Sequence, residues 1–221
     1  MLYNIDEIGK SYKGESIVIF GNGPSVCKTD GEKRIHIYDS TDIKDPIWTV
    51  NGGWNYHPTS SLGFNMHDFK NLSYSENYKK VVDEKEYEDA MMLVRTSKIP
   101  IVTVKPYYKT CVEFPLQEVV DYTGIAYFGE AIDYMIALAC MWGVKEITFY
   151  GCDYNGDDRK PQERCGTEYW CGFAHAKGVK INVSTESSLL KVPYSDIGMI
   201  PGFYGYFEEY FPYIHNKKEA A

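Results

Sequence analysis

The stretch Ile17-Val18-Ile19-Phe20-Gly21-Asn22-Gly23-Pro24-Ser25 decides how the chain is read. Four apolar, mostly β-branched residues make a short buried strand, and they empty directly into a glycine-rich turn. Gly21 and Gly23 take positive φ without steric cost and let backbone N–H groups approach an anion. Pro24 suits the first turn of a helix whose unpaired N–H groups point at phosphate. The segment therefore reads as the strand-to-helix corner of an α/β nucleotide site, with Gly21, Asn22, Gly23, Pro24 and Ser25 as binding residues. Val26 stands where a dinucleotide fingerprint has its third glycine, which argues against a plain dinucleotide site. The competing reading is a tight strand-to-helix turn with no ligand.

Outward from this turn, short apolar runs predict further strands at 35–38, 47–50, 61–66, 99–104, 146–150 and 179–183. Helical spacing is clearest from Glu130 to Trp142, where Ile132, Met135, Ile136, Ala139 and Cys140 share a face and Gly143 follows as a stop. Two more helices are expected within 76–94 and 161–177. The alternation predicts an α/β fold, an open, mostly parallel sheet with helices on both faces. Ligands in such sheets bind beyond the carboxyl ends of the strands. The segments following the strands are Asn51-Gly52-Gly53-Trp54, His67-Asp68, Lys105-Pro106-Tyr107-Tyr108, Gly151-Cys152-Asp153-Tyr154 and Ser184 to Ser188. Nearly all are polar, glycine or aromatic, as a nucleotide-sugar pocket requires.

At 221 residues the chain reads as one domain over 1–221, closed by an aromatic tail from about 202 to 221. With 23 basic against 31 acidic residues the net charge is −8, which leaves no broad cationic surface for a nucleic-acid backbone. No basic-then-apolar leader and no run of about 18 apolar residues is present, so a cytoplasmic protein without a membrane span is expected. The six cysteines lack zinc spacing and read as reduced thiols. The tail, with Tyr204, Tyr206, Tyr210 and Tyr213, suits a self-associating surface and a homo-oligomer.

Three segments together carry a family resemblance. Gly21-Asn22-Gly23-Pro24-Ser25, Asn51, and the block from Ala137 through Gly143-Val144-Lys145-Glu146-Ile147 to Gly151-x-Asp153-Tyr154 resemble the bacterial sialyltransferases of the Campylobacter lipooligosaccharide type. They also resemble the wider Rossmann-like set that contains the DUF115 and 6-hydroxymethylpterin diphosphokinase families. Ser187-Ser188-Leu189-Leu190 is similar to the Asn-Ser-Leu-Leu that follows the corresponding sialyltransferase strand. The resemblance implies a Rossmann-like nucleotide-binding domain and a glycosyltransferase that takes a nucleotide-sugar donor as substrate. Its donor would be held by the first glycine turn, Asn51, Gly129, Glu130, Asp153, Tyr154, Ser187 and Ser188, and its acceptor would be a glycan or small molecule. Tyr127-Phe128-Gly129-Glu130-Ala131 stands where that family has Thr-Ser-Gly, so the glycine is kept and the hydroxyls are gone. The diphosphokinase likeness implies instead a Mg-ATP transferase with carboxylates holding a divalent metal whose ligands the sequence leaves unknown. A non-catalytic nucleotide-binding module is the third reading.

Sugar transfer requires a base within reach of the attacking hydroxyl. The family places a histidine after the Gly-x-Asp-aromatic element, and residues 155–169 contain none. Asp68 and His67, at a strand end, and His175, in the helix that follows, are the candidates, with Asp68 preferred. Lys105, Tyr107, Tyr108 or Arg159 would steady the leaving phosphate, and the charged run 155–160 has the look of a lid.

Overall fold

The computed structural model describes residues 3–30, 33–67, 84–154, 160–194 and 198–200. β1 (Ser16–Phe20) is an interior strand of a seven-stranded sheet. β4 (Ile47–Val50), β5 (Ser60–Asn65), β6 (Ile101–Thr103) and β7 (Cys111–Glu113) extend the sheet on one side of it, and β8 (Glu146–Tyr150) and β9 (Lys180–Val183) on the other. The order is β7-β6-β5-β4-β1-β8-β9, and every pairing is parallel. The expected open α/β, Rossmann-like fold is the one observed. The chain steps one way from β1 to β7, then returns to lay β8 against β1. The topological switch point therefore lies between β1 and β8, where a crevice opens at the carboxyl edge.

Alternation along the strands divides the core into two layers. Ile17, Ile19, Trp48, Leu62, Phe64, Ile147 and Phe149 face a layer of helices: α1 (Ile5–Tyr12), α3 (Leu116–Thr123), α4 (Ala131–Trp142) and α5 (Lys160–Ala176). Val18, Phe20 and Ile47 face the other way, onto Val26, Cys27, Tyr38 and Ile43. On that side Trp54 and Ile101 pack against Val94 of α2 (Glu84–Thr96). Burying full aliphatic side chains on both faces, at roughly 25 cal/mol per Å², is what makes these strands read as continuous apolar runs rather than alternating ones.

Several expectations are corrected here. Pro24 does not open a helix: residues 24–26 form a turn that leads into β2 (Cys27–Asp30), which pairs antiparallel with β3 (Lys33–His36). The strand expected at 35–38 belongs to this hairpin and not to the main sheet. Its sequence, Lys33-Arg34-Ile35-His36, carries charges that a strand covered on both faces does not tolerate. The helix expected within 76–94 runs from Glu84 to Thr96 in its described part. The helices α1 and α3 and the three-residue strand β7 are additional to the sequence reading, as is a second small hairpin of β10 (Val192–Tyr194) and β11 (Gly198–Ile200). Five cysteines are buried and Cys165 is exposed, and all six are free thiols. Among the described residues no helix is long and apolar enough to cross a membrane. The aromatic tail and the association expected of it lie outside the described residues.

Candidate functional site

Two hollows open at the carboxyl edge. One, of about 280 Å³, lies at the switch point between Gly21 to Pro24, after β1, and Gly151 to Tyr154, after β8. The other, of about 370 Å³, runs toward β5 and is walled by Met66, His67, Phe128, Gly129, Tyr134 and Glu163. They share Val50, Asn51, Glu130 and Ile132, so they form one bipartite cleft. Together they reach the size of ordinary small-molecule sites.

The first hollow is built by close backbone contact. The Gly21 N–H donates to the Tyr150 carbonyl at 2.8 Å and the Gly23 N–H to the Gly151 carbonyl at 2.8 Å. A methyl group on Gly21 would lie 2.3 Å from the Gly151 oxygen, and one on Gly23 would lie 2.4 Å from Asp153 Oδ2. Neither glycine has positive φ; Gly151 does, at +64°. The glycines are thus required by the approach of two turns, and their N–H groups are engaged by protein carbonyls rather than aimed at a phosphate. Asp153, buried, accepts the Ser25 N–H at 2.8 Å on Oδ2 and the Ser188 N–H at 3.3 Å on Oδ1. The Ser187 hydroxyl donates to the Cys152 carbonyl, and Ser188 Oγ accepts the Tyr154 N–H at 2.9 Å. Asp153, Ser187 and Ser188 therefore fasten the wall of the cleft.

Asn22 donates from Nδ2 to the Val50 carbonyl at 3.1 Å, bridging the β1 and β4 turns. Asn51 is exposed to the cleft in a left-handed conformation, φ 48°, which asparagine tolerates better than most residues and which concentrates at ligand sites. Facing it, the segment before α4 is pinned from behind. Trp170 Nε1 donates to the Tyr127 carbonyl at 2.6 Å, and the Phe128 ring stacks on Tyr134 and Trp170. Asp133 Oδ2 accepts the Gly129 N–H at 2.7 Å and the Glu130 N–H at 3.3 Å. Glu130 Oε1 accepts hydrogen bonds from the Tyr154 and Thr167 hydroxyls. Burial pushes the Tyr154 phenol well above its ordinary pKa and raises that of Asp133 to about 7.

The structure brings Gly21, Asn22, Gly23, Pro24, Asn51, Gly129, Glu130, Asp153, Tyr154 and His67 to this cleft. His67 stands at its mouth, in contact with solvent, while the walls desolvate its ring enough to lower its pKa. Asp68 and the run 155–159, with Arg159, lie outside the described residues. His175 is placed elsewhere. It sits in the last turn of α5, whose carboxyl end feeds the amino edge of β9, and the 12 helical residues from cleft-lining Glu163 to His175 separate it from the cleft by about 18 Å. Among the described residues no group of three or more His, Cys, Asp or Glu converges as a metal site. The residues that sequence reasoning missed are Asp133 and Thr167. The spacing Glu130-x-x-Asp133 carried a capping signal, but Thr167 lies 34 residues further on and only helix packing brings it in.

A comparison with protein-family models finds no match for this chain, and none is found among curated proteins. What the fold and the cleft define is a class, an α/β protein of Rossmann-like architecture with a bipartite cleft at its topological switch point.

Proposed function

We propose that the chain is a nucleotide-sugar-dependent glycosyltransferase of the sialyltransferase-like type that moves a sugar to a glycan or small acceptor in the cytoplasm. The observation that carries this reading is the joining of two hollows at Asn51 and Glu130. A nucleoside phosphate fits the glycine-walled hollow at the switch point. The sugar and acceptor fit the second, where carboxylates and amides meet hydroxyl groups and the edge of the Phe128 ring offers apolar contact. His67, neutral at pH 7 because desolvation lowers its pKa, has the form that accepts a proton from an attacking hydroxyl. Asp68 follows it in the chain and is the second candidate. The metal-nucleotide alternative finds less support in the carboxylate of Asp153, since both of its oxygens accept protein N–H groups.

Thermal unfolding with a panel of CMP-, UDP- and GDP-sugars, and ATP with Mg²⁺, tests the reading. One nucleotide-sugar should stabilise the protein, by about 2.7 kcal/mol at a hundredfold excess over Kd. With that donor, His67→Gln or Asp68→Asn should lower turnover by about 10²–10⁴ while donor binding stays near normal. Binding of none of the sugars, or metal-dependent consumption of ATP that EDTA abolishes, overturns it.

A further inference from the structure

Behind the wall shared by the two hollows, two carboxylates and two hydroxyls form a polar cluster. Tyr154 Oη contacts Glu130 Oε1 and lies 2.9 Å from Thr167 Oγ1, which in turn lies 2.7 Å from Glu130 Oε1 and 2.9 Å from Asp133 Oδ1. These are four oxygen–oxygen contacts, and the two hydroxyls supply two protons, each able to fill one. With both carboxylates ionised, two contacts stay unfilled. At least one of them sets a hydroxyl lone pair against a carboxylate, since only the Tyr154–Thr167 contact lies between hydroxyls. One further proton resolves this. Asp133 then donates to Thr167, Thr167 and Tyr154 donate to Glu130, and the unfilled contact lies between two neutral hydroxyls.

The cluster is built into the packing of α4 on α5. A methyl group on Gly166 would lie 2.4 Å from Asp133 Oδ2, so glycine lets the α5 backbone close over that carboxylate without displacing it. Among the described residues, the titratable groups that face the pair include Tyr134 from α4, Cys152 and Tyr154 from the β8 turn, and Cys171 from α5. Burial raises the pKa of each of these, so they stay neutral beside the two carboxyl groups. The cleft itself carries Asp153, Glu130 and Glu163 against the neutral His67, with no Lys or Arg among the described residues that line it. An anion there raises the proton affinity of the carboxylates beside it.

We propose that Glu130 and Asp133 hold one proton between them through Thr167 at neutral pH, and that an anionic nucleotide-sugar entering the cleft draws further proton charge onto the pair. The second half rests on the nucleotide-sugar reading; the first does not. Two measurements separate them. In the ligand-free protein, infrared titration should show a protonated-carboxyl band that persists to about pH 7 and is lost in Asp133→Asn, whose remaining oxygen still accepts the N–H groups before α4. Thr167→Val, which deletes the bridge at nearly constant shape, should move that band's titration. Absence of the band above pH 5 overturns the shared proton, whatever the ligand.

Isothermal titration at pH 7 with UDP-glucose, GDP-mannose and CMP-N-acetylneuraminate, in buffers of different ionisation enthalpy, reads the proton number directly. The phosphates of these probes do not titrate near neutrality. Uptake of a fraction up to one proton per ligand is expected in His67→Gln, which removes the imidazole share, falling toward zero in the double variant with Asp133→Asn. Binding with no uptake overturns the coupling while the nucleotide-sugar reading stands. Binding of no probe removes that reading and the coupling together, and the shared proton is then decided by the infrared titration.

Discussion

A methyl group on Gly21 would meet the Gly151 carbonyl oxygen at 2.3 Å and its carbon at 2.9 Å, both backbone atoms that no rotamer change can move. Gly21→Ala should therefore destabilise the protein by about 1–3 kcal/mol, the range of overpacking in a close-packed interior. Gly172, in α5, has open space around its missing side chain, so Gly172→Ala should stabilise by about 0.4–1 kcal/mol by restricting the unfolded chain. Urea unfolding of both variants checks the pair, and equal effects would refute the close-approach account. The corner that walls the cleft was legible in these glycines because a strand that ends in Gly-Asn-Gly marks a tight turn. Their purpose was not. Positive φ and close approach select the same residue type, and only the neighbouring turn, 130 residues along the chain, separates the two causes.

At the scale of elements, one carboxylate ties three turns. Asp153 follows β8, accepts from Ser25 after β1, and accepts from Ser188 after β9. An amide has one accepting oxygen in place of two, so Asp153→Asn must give up one of these bonds and turn its NH₂ toward a backbone N–H. A loss of about 1–3 kcal/mol in stability is expected, from a buried N–H left unsatisfied beside a misplaced donor. An Asp153→Asn protein of unchanged stability that has lost ligand affinity would show that this side chain serves a ligand instead. Asp153 lines the cleft because it follows a strand of a parallel sheet, a position legible in the sequence. That its oxygens would be used by the protein depends on the β1 turn running on into a hairpin. Pro24 suggested a helix there, whereas the charged Cys27 to His36 segment forms β2 and β3.

For the whole molecule, the parallel sheet was legible because its strands are apolar on both faces and stand between turn formers and helical spacing. The short β7 and the helix α3 carried too little pattern to register. Each of the two layers on either side of the sheet buries a group whose shift falls between pH 4 and 7, and these give the last prediction. Beneath the β2–β3 hairpin, His57 is fully buried against Phe20, with Nδ1 in contact with Ser40 at 2.8 Å. Desolvation, then the neighbouring His36, lowers its pKa from 6.5 to about 4. On the helical side, desolvation foremost raises Asp133 from 3.8 to about 7. The signs are opposite. The unfolded chain binds a proton at His57 that the folded one refuses, so the His57 contribution is present above pH 6.5 and is lost as pH falls through 4. The folded chain holds a proton at Asp133 that the unfolded one releases, so that contribution is present below pH 3.8 and is lost as pH rises through 7. Because the two groups lie on opposite faces of the sheet and share no partner, their effects should add. Urea unfolding across pH 4 to 8 should show the advantage of wild type over His57→Gln growing, on the order of 1–3 kcal/mol, up to pH 6.5. The advantage over Asp133→Asn should shrink across the same range until about pH 7, and the double variant should reproduce the sum of the two curves. A difference curve that stays level for either variant would mean that its group titrates alike in the folded and unfolded chains, and the burial argument for that layer would fail.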